Sequence, residues 1–330
     1  MKFRFLFRIG RGVGGDVCIV EQPNTFEIYA VKKLKYDMNN VHAETNILKM
    51  CRHENIVSLM FIRSFQDHAY LFMCPMDCSL RQYLLHFVDI DLNCSLHIFK
   101  SLMSGLAYCH SLDIAHRDVK PENILMNSEG NVRICDFGLA RQTLQYPCTP
   151  NVVTLWYRAP ELLFGSQSYD FTIDTWAACC CLVEMMNGYP IFKIESLSEI
   201  NQINKIADII GKPTCHDMTL MRVDPAFAYV YEKDNKDNNK IVNKDINKTV
   251  CKTVCARWVR LPDSPEYEFV RQTLSYSVVT RPSATSILES IPAHIFQKTF
   301  NVKPISRVCH ATVPADWSDV LMSIEEVFDL

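Results

Sequence analysis

The sequence predicts an α+β, bilobal fold, with a small β-rich N-terminal lobe that carries one key helix and a larger α-helical C-terminal lobe. The first seventy-odd residues carry β-type patterns, one helical stretch interrupts them, and helical periodicity takes over from Ser79 onward. With 330 residues, of which 48% are hydrophobic, the chain suits one large two-lobed protein or two ordinary domains. The same composition excludes wholesale disorder.

Five runs of residues in the N-terminal part have the pattern of β-strands. FRFLFRI alternates, DVCIV follows a cluster of glycines, and FEIYAVKKL is a third β-rich run. NIVSLMFIRSFQ and AYLFMCP come after a helical stretch from Met38 to about Cys51, in which Val41, Thr45 and Leu48 share one face. We therefore expect five strands, with one helix between the third and the fourth.

The change of periodicity places the boundary between the lobes near residues 75–79. We accordingly divide the chain into an N-lobe over 1–76, a C-lobe over 77–300 and a C-terminal extension over 301–330. Within the C-lobe, a polar insert over about 232–252 is rich in Asn, Lys and Asp. A solvated surface loop is the simpler interpretation of this insert, and a docking loop for a partner is the alternative.

Charge and hydropathy exclude several classes of function. The net charge is −3 and the pI is about 6.4, so nothing in the overall charge attracts nucleic acid or anionic membrane. The longest apolar run, Trp176–Val183, is far too short to span a membrane. Arg4 and Arg8 interrupt any signal-peptide core. We expect a soluble intracellular protein, in the cytoplasm, the nucleus or both, with neither a nucleic-acid nor a membrane partner.

The fifteen cysteines do not indicate a disulfide framework or a metal site. Their number is odd, and no CxxC pair occurs. Cys179–Cys181 lie in an apolar stretch, where small buried side chains are the ordinary interpretation. The pairs Cys74/Cys78 and Cys251/Cys255 lack the arrangement of further ligands that a zinc site requires.

Three glycines form a GxGxxG pattern at Gly10, Gly12 and Gly15. Glycine lets a backbone approach phosphates closely, although an ordinary glycine-rich turn is the alternative. A dinucleotide-binding fold requires a helix directly after the glycines, whereas DVCIVEQP has the pattern of a strand. The pattern therefore favours a β-hairpin.

A lysine on the third strand is the next candidate. A lysine on a β-run normally extends its charge to solvent. Lys32 could instead hold the α- and β-phosphates of a nucleotide, and a carboxylate on the neighbouring helix, Glu44, would fix its position.

The segment HRDVKPEN brings a carboxylate, a lysine and an amide into six positions, at Asp118, Lys120 and Asn123. Such groups can converge only if a loop holds them in a fixed conformation. Asp136 follows the strand VRIC and stands beside Phe137 and a turn glycine, a setting that suits Mg²⁺ because this ion prefers oxygen ligands.

In order and spacing, these blocks resemble the signature of eukaryotic protein kinases, from Ile9 to about Phe296. LWYRAPELL, DFGLAR and the later Asp174-Thr-Trp are similar to the CMGC group, and within it to the cyclin-dependent kinases. RPSATSIL also fits the family, in which an arginine of the C-lobe, here Arg281, pairs with the glutamate of APE, here Glu161.

The resemblance implies a serine/threonine protein kinase that uses ATP and Mg²⁺. Asp118 would orient the acceptor hydroxyl and accept its proton, while Lys120, with Thr154 as its partner, is typical of Ser/Thr specificity. Asn123 and Asp136 would hold Mg²⁺, and the Lys32–Glu44 pair would hold the phosphates. The resemblance implies the following ATP-binding residues: Ile9, Gly10, Gly12, Gly15, Val17, Ala30 and Lys32, with Met73 as gatekeeper and Cys74 and Met76 in the hinge.

The resemblance also implies protein substrates with Ser/Thr-Pro sites. Val152, Val153, Thr154 and Arg158 would shape the pocket after the acceptor residue, and Thr149 would be the activating phosphosite. Ser79 falls at the ribose-contacting position.

The helix before Glu44 departs from the cyclin-dependent pattern. MNNVHA replaces the PSTAIRE-like sequence, and Ala43 stands where an arginine helps to bind the activating phosphate. Arg117 and Arg141 remain as phosphate ligands. A cyclin or another regulatory subunit is therefore a candidate partner on which we expect activity to depend less strongly.

Two questions stay open at the level of sequence. A pseudokinase or scaffold that binds without turnover is the alternative function, although the intact Lys32, Asp118, Asn123 and Asp136 favour an active enzyme. Cys135 could face the ATP site or be a small buried residue. The strand after the glycines and the two catalytic blocks exclude a dinucleotide-dependent oxidoreductase.

Overall fold

The computed structural model describes residues 3–12, 15–35, 38–65, 67–87, 90–142, 155–196, 198–229, 231 and 268–291. These residues fall into two compact units. The first unit takes its described residues from 1–83 and 122–141, and the second from 84–121 and 142–300.

The first unit contains an antiparallel five-stranded sheet, as the alternating apolar patterns predict. Its strands run in the order β1-β2-β3-β5-β4. The strands are β1 (Arg4–Gly12), β2 (Gly15–Gln22), β3 (Glu27–Lys35), β4 (Leu59–Phe65) and β5 (His68–Met73). The predicted strand count is therefore confirmed.

One helix, α1 (Met38–Met50), lies between β3 and β4 in the chain, as predicted. Its buried side chains recur at helical spacing, at Glu44, Thr45, Ile47 and Leu48. The helix packs against a 3₁₀ turn, Phe137–Leu139. That contact places Glu44 beside the segment that contains Asp136.

A smaller antiparallel sheet completes the first unit. It is formed by β6 (Cys78–Ser79), β8 (Ile124–Met126) and β9 (Val132–Ile134), in the order β6-β8-β9. Strands β8 and β9 form a hairpin, and a 3₁₀ turn, Pro121–Asn123, leads directly into β8. The open end of this hairpin carries both candidate magnesium ligands, Asn123 before β8 and Asp136 after β9.

The second unit is mainly helical. Its centre is α5 (Thr172–Asn187), whose residues from Thr172 to Met185 are all buried, as expected for a helix that is apolar on every side. Helix α3 (Leu92–Ser111) packs against α5, and α9 (Ala284–Ser290) packs against α3. Cys179–Cys181 lie on α5 and are buried, as predicted.

Shorter elements complete the described chain. They are α2 (Leu80–His86), α4 (Pro160–Leu163), α6 (Glu199–Ile210), α7 (Cys215–Leu220), α8 (Glu268–Thr273), the two-residue strands β7 (Ile114–Ala115) and β10 (Arg141–Gln142), and a 3₁₀ turn at Leu155–Tyr157. Among the described helices, none combines the length and the hydropathy that crossing a membrane requires.

Two segments of the sequence interpretation lie outside the described residues, and two domain limits stay predictions. The polar insert over 232–252 and the extension over 301–330 lie outside them. The lobe limits at residues 76 and 300 remain predictions from sequence.

Candidate active site

The glycine pattern lies on a β-hairpin, as predicted. Gly10 and Gly12 end β1, and Gly15 begins β2, where it pairs with Gly12 across the hairpin. Gly15 has a φ of +113°, and a Cβ at this position would overlap the carbonyl oxygen of Lys33. Only glycine satisfies both conditions, because L side chains rarely adopt this conformation.

The strand register places the predicted nucleotide-binding residues on one face of the sheet. Val17 in β2 and Leu71 in β5 pair with Lys32 in β3, and Ala30 lies two residues before Lys32 on the same face. Met73 pairs with Ala30 and is buried. Ile9, next to the glycines, is exposed.

Lys32 joins two carboxylates that are distant in the sequence. Its Nζ donates to Glu44 Oε1 at 2.7 Å and to Asp136 Oδ1 at 2.8 Å. Lys32 and Glu44 are each 5% exposed, whereas the side chain of Asp136 is 33% exposed. We call Lys32, Glu44 and Asp136 the first-unit cluster.

Electrostatics keep Lys32 charged. Burial by itself would lower its pKa, but the charge of Glu44 and then that of Asp136 outweigh burial and raise the pKa above its ordinary value. The cluster therefore holds a buried cation within β3, and one of its two carboxylates, Asp136, is still accessible.

The β8–β9 hairpin brings Asn123 and Asp136 to the same end. Asn123 directly precedes β8, and Asp136 follows β9 by two residues. The hairpin is closed by Cys135 N, which donates to Asn123 O at 2.9 Å. Asp136 has a φ of 63°, a left-handed conformation that is uncommon for a residue with a side chain. An amide and a carboxylate oxygen at one hairpin end suit Mg²⁺.

The segment after β5 holds the predicted hinge. Cys74 N donates to Ser58 O at 3.1 Å, and Met76 is buried. Cys135 is half-buried, so the structure does not place it among the fully buried small residues.

Ser79 has a local role that the sequence interpretation missed. Gln82 N donates to Ser79 Oγ at 3.2 Å, and Ser79 N donates to Gln82 Oε1 at 2.9 Å. These reciprocal bonds form a capping box at the start of α2. The pattern S-x-x-Q before a helix could have revealed it.

In the second unit, Asp118 and Lys120 form a local ion pair. Lys120 Nζ donates to Asp118 Oδ2 at 2.7 Å, and both side chains are largely buried. Asp118 N donates to His116 Nδ1 at 3.3 Å. The loop thus arranges a lysine beside the predicted catalytic carboxylate, within three residues of chain.

Asp174, near the start of α5, accepts hydrogen bonds from the backbone of this loop. Its Oδ2 accepts from His116 N and its Oδ1 from Arg117 N, each at 2.8 Å, and His110 Nε2 lies 3.0 Å from Oδ2. Burial alone would raise the pKa of Asp174, but these neighbours, led by the hydrogen bond with His110, lower it. We call Asp118, Lys120 and Asp174 the second-unit cluster.

No sequence pattern predicted a role for Asp174, which was named only as part of the resemblance to the CMGC group. The available signal was an aspartate at the start of a largely apolar helix. Such an aspartate is expected to be buried, and a buried carboxylate requires hydrogen-bond donors. Arg117, which donates to it, has a φ of 68°, so Asp174 also holds an uncommon backbone conformation.

Other ion pairs surround the WYRAPE segment. The predicted pair is present: Arg281 Nη2 donates to Glu161 Oε2 at 3.0 Å, and both residues are buried. Arg158 Nη1 donates to Glu199 Oε1 at 3.1 Å. Glu199, the first residue of α6, thus holds the Arg158 side chain in position.

Several predicted residues lie outside the described chain. These are Thr149, Val152, Val153 and Thr154. Of the predicted phosphate ligands, Arg117 and Arg141 are described, and Arg141 Nη1 donates to Ala140 O at 2.7 Å. Ala43, on α1, is half-buried.

The curated relatives of this chain include plant mitogen-activated protein kinases. It is 35% identical over 240 residues to "Mitogen-activated protein kinase 3" of Arabidopsis thaliana, which covers 69% of this chain and 64% of that protein. It is 34% identical over 235 residues to "Mitogen-activated protein kinase 5" of Oryza sativa, in subspecies indica and japonica, covering 67% of this chain and 63% of each relative. The narrower resemblance to cyclin-dependent kinases stays a prediction.

A family model described as the protein kinase domain matches residues 3–291. This match covers most of the chain and includes both clusters, the glycine hairpin and the Glu161–Arg281 pair. The chain therefore belongs to the protein kinase family.

Proposed function

We propose that this chain is an active serine/threonine protein kinase that transfers the γ-phosphate of ATP to protein substrates. The observation that carries the proposal is the Lys32–Glu44 ion pair, with Asp136 2.8 Å from the same ammonium group. A buried cation with accessible carboxylate oxygen nearby matches what phosphoryl transfer requires, which is positioning and charge stabilisation.

The residues of the first unit fit Mg²⁺ and ATP. Asn123 and Asp136 stand at one hairpin end, and Lys32 holds a positive charge on the face that also carries Val17 and Ala30. When bound, Mg²⁺·ATP would supply the phosphoryl group and offset its negative charge. Asn123 and Asp136 would hold the metal ion, and Lys32 would orient the phosphates.

The second-unit cluster supports Ser/Thr acceptors. Asp118 would orient the acceptor hydroxyl and take its proton, and Lys120, whose Nζ lies 2.7 Å from Asp118 Oδ2, would hold that carboxylate in position. Asp174 holds the backbone of His116 and Arg117, directly before Asp118.

Phosphate transfer from labelled ATP to a mixed peptide library, followed by phosphoamino-acid analysis, tests this proposal. We expect phosphoserine and phosphothreonine, and loss of both in Asp118→Asn. A wild-type chain that binds nucleotide without transferring phosphate would instead favour the pseudokinase or scaffold function. Labelled phosphotyrosine as the main product would contradict Ser/Thr specificity.

We further propose that substrates are proline-directed. Arg158, fixed by Glu199 at 3.1 Å, would shape the pocket after the acceptor together with Val152 and Val153. Such a pocket offers no partner for a backbone N–H, and proline has none. A positional peptide library should therefore show a preference for Ser/Thr-Pro, and a flat profile after the acceptor would contradict the proposal.

Activation is proposed to involve phosphorylation of Thr149, with less dependence on a cyclin than in cyclin-dependent kinases. A phosphate adds a charge of about −2 that arginines can bind. Arg117 and Arg141 are present, but Ala43 removes a third ligand from α1. The phosphorylated monomer should be active without a cyclin. Full activity of Thr149→Ala would contradict the phosphosite, and a phosphorylated monomer that is inert until a cyclin is added would contradict the weaker dependence on a cyclin.

We also propose that the kinase acts on proteins in the cytoplasm, the nucleus or both, and not on nucleic acid or membranes, to which a net charge of −3 gives no overall attraction. Fractionation of cells that express a tagged chain tests this location.

A further inference from the structure

The ion pair between Arg81 and Glu122 has no part in the chemistry proposed above, yet it adjoins a residue that does. Arg81 Nε donates to Glu122 Oε1 at 2.8 Å across 41 positions of the sequence. Arg81 lies in the first turn of α2, and Glu122 directly precedes Asn123, one of the two candidate magnesium ligands. All three residues belong to the first unit. The pair therefore joins α2 to the segment that would hold the metal ion.

The register of the small sheet brings these two segments together. Ser79 pairs with Leu125 across the antiparallel strands β6 and β8. Arg81 comes two residues after Ser79, and Asn123 comes two residues before Leu125. Because the two chains run in opposite directions, these steps lead to the same end of the sheet. The ion pair thus extends the contact between the two chains beyond their last paired residues.

Asn123 is held on its other side by the β8–β9 hairpin. Cys135 N donates to Asn123 O at 2.9 Å, and Asn123 itself is buried. The side chain of Glu122 is 41% exposed, so packing fixes it less firmly. Because the turn Pro121–Asn123 has only three residues, a shift of Glu122 is transmitted to the backbone of Asn123. The pair with Arg81 therefore fixes this turn on the side opposite to β9.

Magnesium makes the position of such a ligand important. Mg²⁺ requires near-ideal octahedral geometry, so a displaced or mobile ligand binds it less well. Groups that orient a metal ligand without touching the metal change the metal affinity when they are replaced. An ion pair whose side chains are 21% and 41% exposed contributes little to the stability of the fold, because water screens both charges. Loss of this pair should therefore affect metal binding more than unfolding.

We propose that Arg81 is a positioning residue for the magnesium site. Through its ion pair with Glu122, it holds the turn Pro121–Asn123 in the conformation that presents the Asn123 side chain to the metal ion. This role rests on the proposed function, in which Asn123 is a magnesium ligand. Arg81 acts through Glu122 and the backbone, so its replacement leaves both ligands in place and loosens one of them.

The sign of the effect separates positioning from simple electrostatics. Removing a positive charge near Mg²⁺ would by itself strengthen metal binding, because like charges repel. Loosening Asn123 weakens it. In Arg81→Met, which keeps the apolar stem of the side chain, we expect the Mg²⁺ concentration for half-maximal ATP binding to rise about threefold to fivefold. Arg81→Lys keeps a cation for Glu122 and should stay close to the wild type.

Titration of Mg²⁺ against the binding of labelled ATP to the full chain measures this requirement. The double variant Arg81→Met/Glu122→Ala should be no more impaired than the weaker of the two single variants, because both substitutions remove the same interaction. Arg271→Met is the matched control, since it breaks an exposed ion pair of 3.0 Å with Glu268 in the second unit. The control should leave the Mg²⁺ requirement unchanged.

Amide hydrogen exchange in the absence of metal and nucleotide supplies a readout that does not depend on activity. In Arg81→Met, the amide of Cys135 should exchange at least about threefold faster, because it donates to the backbone of Asn123. The amide of Val57, which donates to Ile134 O at 2.9 Å, reports on β9 itself and should keep its rate. A parallel acceleration at Val57 would indicate loosening of the whole strand and would overturn the proposal.

The titration can overturn the proposal as well. An unchanged or lowered Mg²⁺ requirement in Arg81→Met would do so, as would a rise of equal size in Arg271→Met or in Arg81→Lys. Additive effects in the double variant would show that Arg81 does not act through Glu122. A wild-type chain whose ATP binding does not depend on Mg²⁺ would instead contradict the proposed function, so the two failures are distinguishable.

Discussion

The first-unit and second-unit clusters hold their charged groups in different ways. In the first, Lys32, Glu44 and Asp136 come from a strand, a helix and a turn, and ion pairs of 2.7 and 2.8 Å join them. In the second, Asp118 and Lys120 are two residues apart on one loop. The first cluster therefore depends on a balance of buried charge, and the second on the shape of a backbone.

This difference determines what each cluster tolerates. Removing the cation beside a buried carboxylate lowers stability, because water cannot reach the remaining charge to compensate it. A loop that loses its supporting acceptor instead leaves backbone N–H groups without partners. Substitutions in the first-unit cluster should therefore lower stability by leaving charge buried. Substitutions in the second-unit cluster should lower it by loosening the backbone of the loop.

The largest effect is expected for Lys32→Met. Phosphoryl transfer should fall by about a hundredfold or more, because the cation that orients the phosphates is lost. The variant should also lose about 3–5 kcal/mol of unfolding free energy, since Glu44, 5% exposed, keeps its carboxylate buried after the charge of the lysine is removed. Urea unfolding and a transfer assay measure the two effects.

The double variant Lys32→Met/Glu44→Gln separates them. It should regain most of the stability, because no charge is left buried, while transfer stays lost. Equal unfolding free energies of Lys32→Met and wild type would contradict the burial of the Lys32–Glu44 ion pair.

A smaller loss is expected for Asp174→Asn, about 3 kcal/mol, because an amide cannot replace both carboxylate oxygens as acceptors for His116 N and Arg117 N. Hydrogen exchange at these two amides should accelerate. Asp170→Asn serves as the control: Asp170 is exposed and accepts from Thr172 N through one oxygen, which an asparagine also supplies, so neither stability nor exchange should change appreciably.

The effect of Asp174 should depend on pH in a defined direction. Folding lowers the pKa of Asp174 below its ordinary value of 3.8, so its contribution is present above that pH and is lost as the pH falls through the folded pKa. The gap in stability between wild type and Asp174→Asn should therefore narrow in acid. A gap that stays constant from pH 7 to pH 3 would contradict this assignment.

Sequence patterns account for the local parts of this structure better than for the long-range ones. Strand alternation and the glycine spacing predict the sheet and the hairpin, because these depend on neighbouring residues. The three donors of Asp174 come from residues 57 to 64 positions away, and Asp136 is 104 positions from Lys32. Only the resemblance to kinases suggested which distant residues belong together. It also assigned Ser79 to ribose, where the structure shows a helix cap.

The smallest effect is expected for Ser79→Ala. Losing the capping box should cost about 1 kcal/mol, and Ser79→Asp should restore it, because aspartate also caps helices. If Ser79 acts only as a cap, the KM for ATP should change by less than about twofold. A larger rise in KM for the alanine variant would assign a ribose contact to Ser79 instead.

The difference between the clusters is tested most directly by comparing Asp118→Asn and Asp136→Asn in single-turnover phosphate transfer, with Mg²⁺-dependent nucleotide binding measured in parallel. We expect Asp118→Asn to slow transfer by about 10²–10⁴ while binding stays at the wild-type level, because this residue acts on the acceptor. Asp136→Asn should lose both transfer and Mg²⁺-dependent binding. Transfer at the wild-type rate in Asp118→Asn, or unchanged Mg²⁺-dependent binding in Asp136→Asn, would contradict the account.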